Sequence, residues 1–238
     1  MTNKKSDVVI LSGGLGTRLR SVVSDAQKTM VLVKGKPFLE HLIAHYRNSG
    51  LTRFIICTGY RHEDIQSYFG DGSRWGITIV YSFESERRGT AGAVKLTEKM
   101  ISSEDFFVLN GDTFLAVDPI EVLKFHQQKE ADGTICLRKF GDISEKGEVV
   151  LGDDYVLAAF LEKQSNHRSG LINAGVYILN KKILSLISRN REVSIEHDIF
   201  PEAIKRFRFV GYKTSAFFID IGSPSEYYRS QKGLPILK

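Results

Sequence analysis

Leu11-Ser12-Gly13-Gly14-Leu15-Gly16-Thr17-Arg18-Leu19 sets three glycines and an arginine directly after Asp7-Val8-Val9-Ile10, a short β-branched apolar run that reads as a buried strand. The chemistry this suits is phosphate binding. Glycines without Cβ let backbone N–H groups converge on anionic oxygens, and a guanidinium can take two phosphate oxygens at once. Neither of two common phosphate motifs is met. The dinucleotide fingerprint needs a third glycine where Leu19 stands, and no Gly-Lys-Ser/Thr comes after it as a P-loop requires. An ordinary glycine-rich turn would look much the same, so the residues downstream must decide. Lys28 comes next, in Asp25-Ala26-Gln27-Lys28-Thr29-Met30, and then Gly35-Lys36-Pro37-Phe38.

Two carboxylates close strand-like runs: Asp112 after Leu109-Asn110-Gly111, and Asp220 in Phe218-Ile219-Asp220-Ile221-Gly222-Ser223-Pro224. Carboxylates at strand ends can meet, and Mg²⁺ takes one or two of them while keeping its other positions for water and phosphate. Each aspartate alone is equally at home as a turn or capping residue. Glu162-Lys163 ends another such run, and Asn173-Ala174-Gly175 lies shortly beyond it. A lysine there would ease the approach of two anions, and an asparagine offers donor and acceptor to hydroxyls. A lone lysine is more often a solvated surface residue. His197-Asp198, His62 and His126 lack a second histidine at ligand spacing and read as structural.

In this order the segments resemble the signature of the sugar-1-phosphate nucleotidyltransferases: a GGxGTRL loop, a PKP-type lysine segment, a GKP segment, two metal-binding aspartates, an EK pair and an NAG segment. Both prolines around the lysine are absent, with Gln27 and Thr29 in their places, and Gln164 stands where a proline often comes after EK. The departure bears on loop stiffness more than on charge. The resemblance implies a GT-A-like fold and in-line attack of a sugar 1-phosphate oxygen on the α-phosphorus of a nucleoside triphosphate, with Mg²⁺ as cofactor. It assigns Leu11, Gly13, Gly14, Gly16, Thr17, Arg18, Glu84, Gly89 and Thr90 to the nucleotide. Glu162, Lys163, Asn173 and Gly175 go to the sugar phosphate, and Asp112 with Asp220 to the metal. Arg18, Lys28 and Asp112 form the catalytic set. The LSGGLGTRL start, the GTAGAV segment and the short length are most similar to the bacterial D-glycero-D-manno-heptose 1-phosphate guanylyltransferases, whose products serve surface polysaccharide synthesis. Mannose 1-phosphate or a uridylyl or thymidylyl transfer stays open.

The base reading rests on Glu84 in Phe83-Glu84-Ser85-Glu86-Arg87-Arg88. Pyrimidine-using relatives commonly have glutamine at the corresponding place. A carboxylate accepts two hydrogen bonds side by side and guanine offers two adjacent donors, N1–H and the N2 amino group, so GTP is expected. A solvated acid paired with Arg87 or Arg88 is the plainer alternative, and Glu86 competes for the role.

The elements that must position these residues emerge from the alternation of patterns. Residues 53–59, 77–83 and 106–110 read as strands, 37–48, 63–69 and 93–100 as helices, with Phe38, Leu42, Ile43 and Tyr46 on one helix face and Gly50 as a stop. Farther on, 134–138, 148–151, 156–161, 171–179, 209–213 and 216–219 read as strands, 183–188 and 196–206 as helices. Repeated βα units predict an α/β, doubly wound, mostly parallel Rossmann-like mixed sheet with ligands beyond the strand carboxyl ends. One domain over 1–238 is expected, about 1–115 forming a nucleotide-binding half and about 116–238 a sugar-phosphate-binding half.

Composition is globular, with 42% hydrophobic and 26% charged residues over 238. No apolar run reaches the roughly eighteen residues of a membrane span, and no signal peptide is evident, so a cytoplasmic protein is expected. Cys57 and Cys136 sit in apolar runs and read as buried free thiols. The balance of 33 basic against 28 acidic residues, +5, is spread along the chain without a basic block, which argues against nucleic acid. The expected partners are a nucleoside triphosphate and a sugar 1-phosphate, with no membrane and a homodimer left open. A non-catalytic sensor of nucleotide sugars and a dehydrogenase are the competing classes, the second weakened by the missing third glycine.

Overall fold

The computed structural model describes residues 6–14, 16, 19, 23, 27–143, 147–161, 169–189 and 191–235. The chain begins with Val8–Leu11 (β1), a small hairpin of Leu32–Val33 (β2) and Lys36–Pro37 (β3), and then Phe38–Asn48 (α1). Arg53–Thr58 (β4), His62–Phe69 (α2), Thr78–Phe83 (β5), Gly89–Leu96 (α3) and Asp105–Asn110 (β6) complete a run of βα units. Thr113–Leu115 (β7), Pro119–Gln128 (α4), Gly133–Phe140 (β8), Glu148–Leu151 (β9), Leu157–Leu161 (β10) and Gly170–Asn180 (β11) come next. Phe200–Arg206 (α5), Phe209–Thr214 (β12), Phe218–Asp220 (β13) and Pro224–Gly233 (α6) close the fold.

Seven strands form one sheet in the order β12-β8-β11-β6-β1-β4-β5. β1, β4, β5, β6, β8 and β12 run in one direction, and β11 opposes its neighbours β6 and β8. The mostly parallel, doubly wound sheet expected from the sequence is therefore present, and its mixed character comes from β11. Alternate residues of the strands face opposite sides, and both sides are buried, which is why the strands are apolar throughout. Val8, Ile10, Phe54, Ile56, Phe107 and Leu109 pack with α1, α2 and α4 on one side. Val9, Ile55, Cys57, Phe106 and Val108 pack with α3 and α5 on the other. Cys57 and Cys136 are buried free thiols, held protonated by that burial.

Several elements differ from the sequence reading. α3 starts at Gly89, so Gly89-Thr90-Ala91-Gly92 is the first turn of the helix and not a loop before it. α4 and α6 were not anticipated, although each carries a start signal. The Asp118 side chain accepts from Ile120 N at 2.8 Å with Pro119 next in the chain, and the Ser223 side chain accepts from Glu226 N with Pro224 next. The helix expected over 196–206 is split. Ile195–Ile199 forms a wide π turn and α5 begins at Phe200, because Pro201 has no N–H to continue a regular ladder.

One buried charge ties the start of β1 to the neighbouring strands. Asp7 is 1% exposed and accepts from the Arg53 guanidinium at 2.6 Å, from Ser102 Oγ at 2.9 Å and from the Ser103 amide at 3.1 Å. Burial alone would raise its carboxyl, but Arg53 and the Ser102 and Ser103 donors outweigh it and leave the group below the ordinary aspartate range. A depressed acid stabilises the fold above its unfolded pKa and loses that contribution as pH falls through the folded value. Asp7→Asn is expected to cost about 2–3 kcal/mol near neutral pH, toward the low end for a broken buried pair because Arg53 is partly exposed. Urea midpoints from pH 7 down to pH 3 check this: the wild-type advantage should shrink toward the acid end, and a pH-independent difference would contradict it.

Candidate active site

The parallel strands β1, β4, β5 and β6 all end at one edge of the sheet, and the residues just past their ends form a cavity of about 300 Å³. Leu11, Ser12, Gly13 and Gly14 come from the end of β1, Thr58 from β4, Glu84 from β5, and Asn110 with Asp112 from β6. The backbone after β1 passes close to that after β4: a Cβ on Gly59 would lie 3.3 Å from Gly13 O. Gly16, at φ +59°, lies against the stem of Lys28, where a Cβ would come within 2.9 Å of Lys28 Cβ. The glycine loop and the lysine segment are thus packed together.

Lys28 forms an ion pair with Asp112, the two side chains being 12% and 32% exposed. Its neighbours are buried and hydrogen-bonded. Gln27 Nε2 donates to Ser12 O, Gln27 Oε1 accepts from both N and Oγ1 of Thr29 at 2.6 Å, and the Ser12 and Thr29 hydroxyls are 2.6 Å apart. The positions that lack prolines are therefore tied down by side chains.

Glu84 lines the same cavity, and its Oε2 is buried without a hydrogen-bond partner among the described residues. Burial pushes its carboxyl above the ordinary glutamate range, Glu192 adds to that, and Arg88 and Arg87 pull against it. Gly89 and Thr90 open α3 on the adjoining wall. A distant segment is clamped onto this turn: Val193 N donates to Arg88 O at 2.8 Å, Ala91 N to Val193 O at 3.0 Å, and Ile195 N to Thr90 Oγ1 at 2.8 Å. Gly89, at φ +71°, makes the approach feasible, since a Cβ would stand 2.4 Å from Val193 O.

Asn173, Gly175 and Asp220 do not line the cavity. β11 shifts register against β8 between Asn173 and Tyr177. Within this bulge Gly175, at φ +69°, packs on Asn110. Asn173 Oδ1 accepts from Gly175 N at 2.9 Å and its amide donates to Tyr177 Oη at 2.7 Å. Tyr177 Oη in turn donates to Glu196, whose other carboxylate oxygen accepts from Thr90 at 3.1 Å. This chain links the β11 bulge to the start of α3. Asp220 reaches Asp112 through the backbone, because β13 pairs with β7 in a register that sets Asp220 opposite Thr113 and lets Ile221 N donate to Asp112 O at 2.9 Å. The donor set of two carboxylates suits a hard divalent cation that completes its shell with phosphate and water. Thr17, Arg18, Glu162 and Lys163 lie outside the described residues.

Comparison with known proteins identifies the family. The nucleotidyl transferase family matches residues 7–235. The chain belongs to that family. This transferase is 40% identical over 228 residues to the D-glycero-alpha-D-manno-heptose 1-phosphate guanylyltransferase of Aneurinibacillus thermoaerophilus, covering 96% of this chain and 98% of that one. It is 33% identical over 236 residues to the mannose-1-phosphate guanylyltransferase of Mycobacterium tuberculosis, spanning 66% of that longer protein. The crystal structure of HddC from Yersinia pseudotuberculosis complexed with GMP-PN superposes with a TM-score of 0.84 at 34% identity, covering 95% of the transferase and 98% of HddC.

Several lining residues of the transferase escaped the sequence reading. Ser12, Gln27, Thr29 and Asn110 flank residues that were singled out, and Asn110 Oδ1 is buried with no partner among the described residues. Arg87 and Glu192 complete the wall near Glu84, and Glu192 carried no local signal because only the docking of 191–195 brings it there. That docking can be tested through Gly89. Gly89→Ala adds both φ strain and the collision with Val193, whereas Gly76→Ala adds φ strain alone, φ being +68° with no atom within 4 Å. We expect Gly76→Ala to cost about 1 kcal/mol and Gly89→Ala clearly more, up to about 3 kcal/mol, in urea midpoints. Equal losses would mean that the 191–195 segment yields freely.

Proposed function

We propose that this enzyme transfers a guanylyl group from GTP to a sugar 1-phosphate, D-glycero-D-manno-heptose 1-phosphate before others, giving a GDP-sugar and pyrophosphate. The observation that carries the reading is the convergence on one cavity of a glycine loop, the Lys28–Asp112 pair and the Glu84 carboxylate. The heptose relative and the HddC complex with GMP-PN support it. We assign the enzyme to the cytoplasm, where nucleoside triphosphates are made, and its product to surface polysaccharide synthesis. Among the described residues no helix is long and apolar enough to cross a membrane.

In this reading the residues before about 115 take the nucleotide and those after it the sugar phosphate. A phosphate oxygen of the sugar forms a bond to the α-phosphorus, the bond from that phosphorus to the bridging β-oxygen breaks, and pyrophosphate leaves with the electron pair. The attacking oxygen is already ionised, so no protein base or nucleophile is needed. Acceleration comes from alignment and from neutralising charge. Backbone amides at Gly13, Gly14 and Gly16, together with Thr17 and Arg18, hold the triphosphate. Lys28 meets charge growing near the α-phosphate. Lys163 and Glu162, with Asn173 and Gly175 shaping the bulge, take the sugar phosphate. Asp112 and Asp220 would hold Mg²⁺, which, when bound, supplies positive charge to the phosphate oxygens.

The direct test is pyrophosphate release in a matrix of GTP, ATP, UTP and CTP against heptose, mannose and glucose 1-phosphates. GTP with the heptose 1-phosphate should be fastest, and no release with any pair would refute the transferase reading. Asp220→Ala should cut turnover at least a hundredfold with little change in melting temperature. Near-normal turnover would take Asp220 out of the site.

Glu84 gives the base its reader. Its ionised carboxylate can take guanine N1–H and the N2 amino group, hydrogen bonds to a charged group being worth about 1.5–3 kcal/mol each. Glu84→Gln should therefore lower the GTP over UTP preference about tenfold or more, with the KM for sugar phosphate nearly unchanged. Because burial raises the Glu84 pKa, the wild-type preference should also weaken as pH is lowered into the range where this carboxyl protonates, earlier than an ordinary glutamate would. The mutant's preference should be flat with pH; a parallel decline in both proteins would remove Glu84 from base reading.

A further inference from the structure

Gln27, Thr29 and Ser12 form a closed hydrogen-bonded ring whose direction can be worked out. Thr29 N–H can only donate, so the Gln27 atom that it meets is the amide oxygen, and the amide nitrogen must face the Ser12 carbonyl. The Thr29 hydroxyl gives its proton to the same Gln27 oxygen, which leaves the Ser12 hydroxyl as donor to Thr29 Oγ1. Every one of these groups is out of water, Ser12 and Gln27 at 1% exposure and Thr29 at 3%. Buried polar groups tolerate no loose geometry, since each broken bond leaves a partner unsatisfied.

The ring sits between two charges. Lys28 lies in the chain between Gln27 and Thr29, and Gly111, the residue before Asp112, packs onto the ring. A Cβ on Gly111 would lie 2.6 Å from Leu11 O, 3.1 Å from Thr29 Cγ2 and 3.2 Å from Ser12 Oγ, and Gly111 N donates to Leu11 O at 2.9 Å. Lys28 is thus one residue away from the buried knot on either side, and Asp112 one residue away from the glycine that packs on it. Gln27 also caps the single helical turn Lys28–Met30 that sets the direction of the lysine.

We propose that Gln27, Thr29 and Ser12 are positioning residues for nucleotidyl transfer: their ring fixes Lys28 relative to the glycine loop and Asp112, in a segment without flanking prolines. The proposal rests on the transferase function proposed for this site. The ring acts through Lys28, so its loss lowers kcat and leaves substrate affinity in place.

The experiment measures kcat and both KM values, with the substrate pair that the wild type turns over, for Thr29→Val, Thr29→Ser and Ser12→Ala. Each is made alone and in a Lys28→Ala background, and melting temperatures identify unfolding. Thr29→Val has the shape of threonine without its hydroxyl and should lower kcat at least tenfold with KM values within threefold. Thr29→Ser keeps the hydroxyl and should recover kcat to within about threefold of wild type. In the Lys28→Ala background Thr29→Val should lower kcat by less than twofold further, because the group that it positions is gone. An equal factor in both backgrounds, a raised nucleotide KM at unchanged kcat, or wild-type kcat in Thr29→Val would each overturn the proposal. Ser12→Ala carries the same comparison should Thr29→Val fail to fold. A wild type that releases no pyrophosphate would refute the transferase reading itself, whereas an active wild type with independent Thr29 and Lys28 effects would refute only the ring's role.

Discussion

Burial of both faces of the central sheet is the constraint on which the site depends. Strands such as Val8–Leu11, Arg53–Thr58 and Asp105–Asn110 have almost no side chain that water can reach, so polar chemistry has no place along them. It collects where the strands stop. Four neighbouring strands run the same way, so their stops fall on one edge, and each contributes a residue able to bind or neutralise charge: Ser12 and the glycines, Thr58, Glu84 and Asp112. The same burial makes the amino end of the sheet depend on Asp7, whose charge is tolerated there only because Arg53 and two serines surround it.

At the carboxyl edge the protein leaves selected polar atoms without partners and ties down the rest. Glu84 Oε2 and Asn110 Oδ1 are buried without one among the described residues, on the cavity wall. Ser12, Gln27 and Thr29, by contrast, satisfy one another. The cavity wall thus holds both open hydrogen-bonding atoms and a set of side chains that satisfy one another. A backbone that presents amides to an anion must not move, and hydrogen bonds among buried side chains are stiffer than a loop of glycines alone.

The later part of the chain closes the site by docking onto the earlier part. The 191–195 segment hydrogen-bonds to the start of α3, the β11 bulge leans on Asn110, and β13 runs beside β7 next to Asp112. Two of these contacts require glycine, at Gly89 and Gly175, where backbone meets backbone or an amide too closely for a Cβ. The Glu196–Tyr177–Asn173 chain then joins the two walls through side chains.

The sequence by itself determined the strand-helix alternation, because apolar periodicity and glycine stops such as Gly50 and Gly70 act within a few residues. It also determined that the glycine loop and Asp112, which directly follow strands of parallel βα units, would stand at one edge of the sheet. α4 and α6 were legible in Asp118-Pro119 and Ser223-Pro224, signals that the strand patterns around them obscured. The start of α3 was not, because its first turn is held by Val193, about a hundred residues away in the chain. Gln27 and Thr29 read as missing prolines and lost stiffness; only the fold decided that they face Ser12 and close a ring, because hydrogen-bond partners fifteen and seventeen residues apart depend on where the loop returns. The adjacency of Asp112 and Asp220, and of Glu84 and Glu192, likewise belongs to tertiary structure. Local sequence fixes what a residue can do chemically, and long-range packing fixes which charges share a low-dielectric space in which they can act together.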